Sequence, residues 1–177
     1  GTGVRIAGWK TRDTLMTASY KLCDLPTLAG SSPEPSEWME ITQKRVNRFA
    51  AATNDFQFIH VDPDKAAKTP FGGTIAHGFL TQALLPFLLS ETTWSFEDAA
   101  MSINYGSDKV RFVRPVRVGE RVRARQTMLE ASEKSPGHWL VKWLVTVEIE
   151  NHKNPALVAE YLEMAKGHDG RDLVAQL

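Results

Sequence analysis

The chain has 177 residues, 42% of them hydrophobic and 24% charged, a balance that fits one globular domain with a sizeable core and excludes a disordered tail, a collagen-like repeat and a coiled coil. Lys plus Arg and Asp plus Glu each number 21, so no global field draws the protein to nucleic acid or to an anionic membrane, and partners of those two kinds are not expected. One cysteine, Cys23, excludes an internal disulfide and a Cys-x-x-Cys zinc cluster and points to a reducing, cytoplasmic setting.

Residues 1–36 show no clean period and close on Ser31-Ser32-Pro33-Glu34-Pro35-Ser36, a loop composition that reads as a lead-in segment without the pattern of a secretory signal. The domain is expected over residues 37–166, with 167–177 as a tail. Thr42 caps a helix whose Val46, Phe49, Ala50 and Thr53 fall at helical spacing, and Asn54-Asp55 stops it. From Asp55 to Gly73, prolines and glycines surround a short helical piece, Pro63–Lys68, with Asp62 as its cap. Thr74 then opens an apolar helix, Ile75–Ser90, which is hydrophobic all round and therefore read as the buried centre, with a kink at Pro86. Its apolar run, Phe79–Leu89, is too short to cross a bilayer.

After residue 100 the period changes to two. Val141, Trp143, Val145, Val147 and Ile149 alternate with Lys142, Leu144, Thr146, Glu148 and Glu150, the mark of a strand with one buried face. Met101–Phe112, Arg121–Ala131 and Leu157–Met164 read as further strands with short turns between. Consecutive strands after a helix imply an α+β fold in which an antiparallel sheet wraps one long central helix. Trp94, Trp139 and Trp143 are expected to pack the core or a dimer seam.

Three groups of residues carry chemical potential. Asp55 and His60, five residues apart on a turn, can converge on one water as proton acceptor and proton shuttle; the spacing alone is unspecific and fits better an aspartate that ends a helix and a histidine satisfied within the core. Gly72, Gly73 and Gly78 precede or open the apolar helix, where free backbone N–H groups suit a developing oxyanion, although Gly78 also fits simple close packing against a strand. Arg121, Arg123 and Arg125 share one strand face, which is either a solvated outer surface or a landing site for the phosphates of coenzyme A or of a carrier's prosthetic arm. His77 is read as fixing the turn that presents Gly78. Asp55, His60, Asp62 and His77 lack a third imidazole or a cysteine to complete a metal shell, so no metal is expected.

Together the segment Thr53-Asn54-Asp55-Phe56-Gln57-Phe58-Ile59-His60 and the run Ala76-His77-Gly78-Phe79-Leu80 resemble the MaoC-like dehydratase and (R)-specific enoyl-CoA hydratase family, in particular its nodulation protein N-like branch. The family motif reads small-Gly-Asp-x-Asn-Pro-aliphatic-His, and the likeness continues through Asn104-Tyr105-Gly106, Val110-Arg111-Phe112, Pro115-Val116 and Val118-Gly119-Glu120. The resemblance implies a single hotdog fold, a homodimer, no cofactor, a catalytic pair on Asp55 and His60, and the Gly78 N–H at a thioester carbonyl. Asn54, Gln57 and Phe58 depart from the motif's glycine, asparagine and proline; the Gln57 amide is expected to orient the aspartate or the water on the substrate side. The implied activity is reversible hydration of trans-2-enoyl thioesters, carried by CoA or an acyl carrier, to (R)-3-hydroxyacyl thioesters. An acyl-thioesterase and a non-catalytic acyl-binding or scaffold protein are the alternatives.

Overall fold

A computed structural model describes residues 18–167. The outer parts of the lead-in and tail, residues 1–17 and 168–177, lie outside the described residues. Residues 18–36 lie on the domain: a short strand β1 (Ala18–Tyr20) leads into a 3-10 helix, Leu22–Leu28, whose Leu22 and Leu25 join the hydrophobic core. The chain then runs along the edge of the main sheet, bonding through Gly30, Ser31 and Ser36 to Ala124 and Met128, and ends there as β2 (Met39–Glu40).

Helix α1 (Gln43–Thr53) forms where the helical spacing places it. The Thr42 side chain accepts the Arg45 N–H at 3.2 Å, Val46 and Ala50 are buried, and Asn54 ends the helix in the left-handed conformation at φ 58°. Two single-turn helices follow, α2 (Phe58–Val61) and α3 (Pro63–Ala66); the Asp62 side chain caps α3 by accepting the Lys65 N–H at 3.0 Å.

The central helix breaks at Pro86, where a kink is expected: it divides at Leu84 into α4 (Gly78–Ala83) and α5 (Leu85–Ser90), since Pro86 has no N–H to return to the preceding turn. The helix differs from expectation in two respects. It begins at Gly78, because Thr74 and Ala76 are already bonded to residues 116–118 and Ile75 forms a bridge with Arg117, which holds the segment extended. It is also not covered all round: Leu80, Leu84, Leu85 and Leu88 are buried, whereas Phe79 is 70% and Phe87 42% exposed.

The strands complete the α+β hotdog arrangement. After β3 (Trp94–Phe96), which pairs in parallel with β1, come β4 (Ala99–Phe112), β5 (Arg121–Ser135), β6 (His138–Ile149) and β7 (Leu157–Gly167). They form an antiparallel sheet in the order β2-β5-β6-β7-β4, with α5 packed against β5. The inward residues of β6, Val141 to Ile149 at every second position, are those the alternation picks out. Trp139 and Trp143 are buried, and the Trp143 indole N–H donates to Glu163 at 3.0 Å. Among the described residues no helix is long and apolar enough to cross a membrane.

Candidate active site

The left-handed cap at Asn54 turns the chain out of α1, so Asp55 leaves the helix exposed to solvent. Its Oδ1 accepts the backbone N–H of Gln57 at 3.3 Å. Among the described residues the Gln57 side-chain amide makes no hydrogen bond, so the main chain rather than the expected side chain reaches the aspartate.

The single turn of α2 carries His60 inward while Phe56 and Phe58 stay exposed. Gln43 on α1 secures that turn: its Nε2–H donates to the His60 carbonyl at 2.8 Å, and its Oε1 accepts the Thr74 hydroxyl at 2.5 Å. The His60 ring faces the Ile75 carbonyl at 2.7 Å through Nδ1. A carbonyl only accepts, so Nδ1 carries the proton and Nε2 of the neutral ring presents a lone pair. Burial pushes the His60 imidazolium below its usual 6.5, with the neighbouring His77 acting in the same direction; the Ile75 bond and the Asp55 charge oppose them without winning. At neutral pH His60 is thus an uncharged base.

Asp55, His60 and His77 each place one donor atom within 4.8 Å of the others. The two imidazoles are stacked, centroids 3.8 Å apart and planes 24° from parallel, so their in-plane lone pairs run side by side rather than meeting at a point. That arrangement suits two hydrogen-bonding groups around a water better than it suits a tetrahedral metal shell.

Gly78 opens α4, and neither its N–H nor that of Phe79 has a hydrogen-bond partner among the described residues. A Cβ on Gly78 would meet three ring carbons of Phe112 at 3.1–3.2 Å. The glycine therefore both leaves a backbone donor unpaired and admits the aromatic ring of β4. Likewise Asp55 does end a helix and His60 is satisfied within the core, yet the pair converges.

The arginines stand apart from this cluster. They occupy the outward positions of β5, while Val122, Ala124 and Gln126 point inward. Glu148 receives Arg123 Nε at 2.6 Å and Arg125 Nε at 2.7 Å, and Arg121 pairs with Glu150 at 3.0 Å. Burial alone would raise the Glu148 carboxyl, but the hydrogen bonds from the two guanidinium groups hold it below its usual 4.5. Arg123 also lies 4.4 Å from the centre of the Trp38 ring. A depression of about 330 Å³ beside Arg123 and Glu148, edged by Trp38, His152 and Lys153, contains none of the cluster. Among the described residues no hydrogen bond or ion pair links the arginines to Asp55 or His60, and their own carboxylates favour the outer-surface reading. The Gln43–Thr74 bracket and the His77 stack were not legible in the sequence, because both depend on contacts between segments 15 or more residues apart.

A family model described as "MaoC like domain" matches residues 24–149. Nodulation protein N of Rhizobium meliloti is 45% identical over 146 residues, covering 82% of this chain and 91% of that protein. The 3-hydroxyacyl-thioester dehydratase Z of Mycobacterium tuberculosis is 47% identical over 145 residues, covering 82% and 95%. The solved structure of the (R)-hydratase from A. caviae involved in PHA biosynthesis superimposes with a TM-score of 0.62 at 25% identity, covering 75% of this chain and 95% of that one.

Proposed function

Because the chain belongs to the MaoC-like domain family, we propose that it adds water reversibly across the trans-2 double bond of an acyl thioester, giving the (R)-3-hydroxyacyl thioester. Relatives named as dehydratases and hydratases support a hydro-lyase role in general, and the enoyl-CoA substrate is the finer step taken here. The observation that carries it is the convergence of the exposed Asp55 carboxylate and the His60 imidazole within 4.8 Å, with Nε2 of a neutral ring available.

The pair holds the attacking water. As its oxygen bonds to C3, one of the two takes a proton and the C2–C3 π electrons move toward the thioester oxygen; the pair then returns a proton to C2, so one water supplies both the hydroxyl and the hydrogen. The unpaired Gly78 N–H polarises the thioester carbonyl and stabilises the enolate-like charge. The chain's own groups account for each proton, and no cofactor enters the scheme.

A homodimer belongs to the same reading. It is supported by the outer edge of β4, unpaired among the described residues, and by the exposed Phe79, Met101, Tyr105 and Phe112 on β4 and the adjoining helix. The experiment is a spectrophotometric assay on trans-2-enoyl-CoA thioesters of increasing chain length. Loss of the conjugated enoyl absorbance without release of free thiol is expected; thiol release would replace the reading with a thioesterase, and neither change with a binding protein.

A further inference from the structure

His77 is 3% exposed and sits at the end of the extended segment just before α4. Its Nε2 lies 3.0 Å from the Asp55 carbonyl oxygen, so that nitrogen donates. Its ring stacks on His60 on one side and tilts against Phe49, centroids 5.0 Å apart, on the other. With the proton on Nε2, Nδ1 is left as an acceptor, buried with no hydrogen-bond partner among the described residues. A leucine or phenylalanine would fill this volume without an orphaned acceptor, so packing alone does not account for an imidazole here.

What the imidazole does supply is an anchor. Asp55 follows a left-handed residue on an exposed loop, and among the described residues its carboxylate is held only by the long Gln57 N–H contact. The bond from His77, 22 residues away, is the long-range hydrogen bond that Asp55 makes among the described residues. We propose that His77 is a positioning residue, which by donating to the Asp55 carbonyl while stacking on His60 holds the carboxylate and the imidazole of the reacting pair in one register. This rests on the assignment of Asp55 and His60 as that pair.

Three variants test it on the best enoyl-CoA substrate. H77F keeps a ring between Phe49 and His60 but removes the donor; kcat should fall by roughly tenfold to a hundredfold, as expected when reacting groups are misplaced by about an ångström, with KM changed less than about threefold. H77Q restores an N–H donor and should recover most of that loss. In both, the acid limb of the pH profile, and the His60 imidazole followed directly by NMR, should move to higher pH, since a neighbour that disfavours imidazolium is gone; the positioning role itself is read from the fall in kcat at nearly unchanged KM and its recovery in H77Q, which a purely structural residue would not give. The melting temperature of H77F should hold or rise, because its orphaned acceptor is removed. If H77F does not fold, H77L removes the same donor and is read by the same outcomes. H77F at wild-type kcat, or H77Q as impaired as H77F, overturns the positioning role. D55N at wild-type rate instead overturns the underlying assignment.

Discussion

Position 78 separates the backbone donor from the space around it. The residue is the first of α4, and His77 before it lies at φ −60°, ψ 140°, the extended region that a following proline requires. Proline is tolerated at the first helical position because the N–H it lacks has no intrahelical partner there. Gly78→Pro therefore deletes the proposed oxyanion donor in a backbone that accepts the ring, and Gly78→Ala is its steric control. The alanine Cβ would stand 3.1–3.2 Å from the Phe112 ring, so that ring must yield by a few tenths of an ångström. Phe112 is 47% exposed on an edge strand and can slide, which puts the overpacking cost near the low end of its usual range, about 1 kcal/mol. Restricting the unfolded chain returns about 0.4–1 kcal/mol, so Gly78→Ala should melt within a few degrees of wild type. Its kcat should stay within roughly tenfold, because the N–H remains. Gly78→Pro should lower kcat by a further factor of about a hundred to a thousand, the loss typical of one oxyanion donor. Circular dichroism must show both variants folded, and the enoyl absorbance assay supplies the rates. A folded Gly78→Pro protein as active as Gly78→Ala would show that the donor is not used.

Asp55→Asn and His60→Ala should each lower kcat by roughly a hundredfold or more, and the double variant should fall far short of the product of the two, since both groups act on one water. Gln57→Ala should be much milder, as its side chain makes no hydrogen bond among the described residues. The acid limb of kcat/KM should lie below pH 6.5, because burial disfavours the His60 imidazolium. In thermal melts the stability that neutral His60 contributes should be whole above about pH 6.5 and be lost as pH falls from there through its lower native value; a melting temperature flat across that interval in wild type but not in His60→Ala would contradict the burial argument. Replacing Arg121, Arg123 or Arg125 by alanine should cost about 1 kcal/mol or less and leave KM for enoyl-CoA unchanged, since each is already committed to Glu148 or Glu150; a KM that rises with CoA but not with a pantetheine thioester would restore the phosphate-binding role.

What could be read from the sequence was what depends on neighbours in the chain. The Thr42 cap, the Asn54 stop and the Asp62 cap are local hydrogen-bond chemistry, and all three stand where residue type places them. The strand alternation at Val141–Ile149 was equally legible, because one side of β6 faces the core along its length. The start of the central helix was not, since Ile75 has ample helical propensity and is held extended only by its bridge to Arg117, 42 residues later. The same holds within the site. Asp55 and His60 are visible as a spaced pair, whereas His77 becomes part of the cluster only through a fold that lays two loops ring against ring. The arginine row was read correctly as one face, but Glu148 and Glu150 arrive from the neighbouring strand and settle what that face is paired with.

The two rims of the sheet are unequal, and the inequality limits how copies can associate. Along β5 the main chain at Val122, Ala124 and Met128 is engaged by β2 and by the strap that runs through Gly30, Ser31 and Ser36, whereas β4 has β7 on one side and, among the described residues, no strand on the other. A sheet with two open rims can template an indefinite stack of its own kind. In the proposed homodimer, β4 meeting β4 about a twofold axis would use up the open rim and leave only the largely strapped β5 rim facing a third copy. In that pairing the strap from Gly30 to Ser36 would act as a chain terminator, and trimming it away would widen the second rim and turn a pairing surface into a route to filaments.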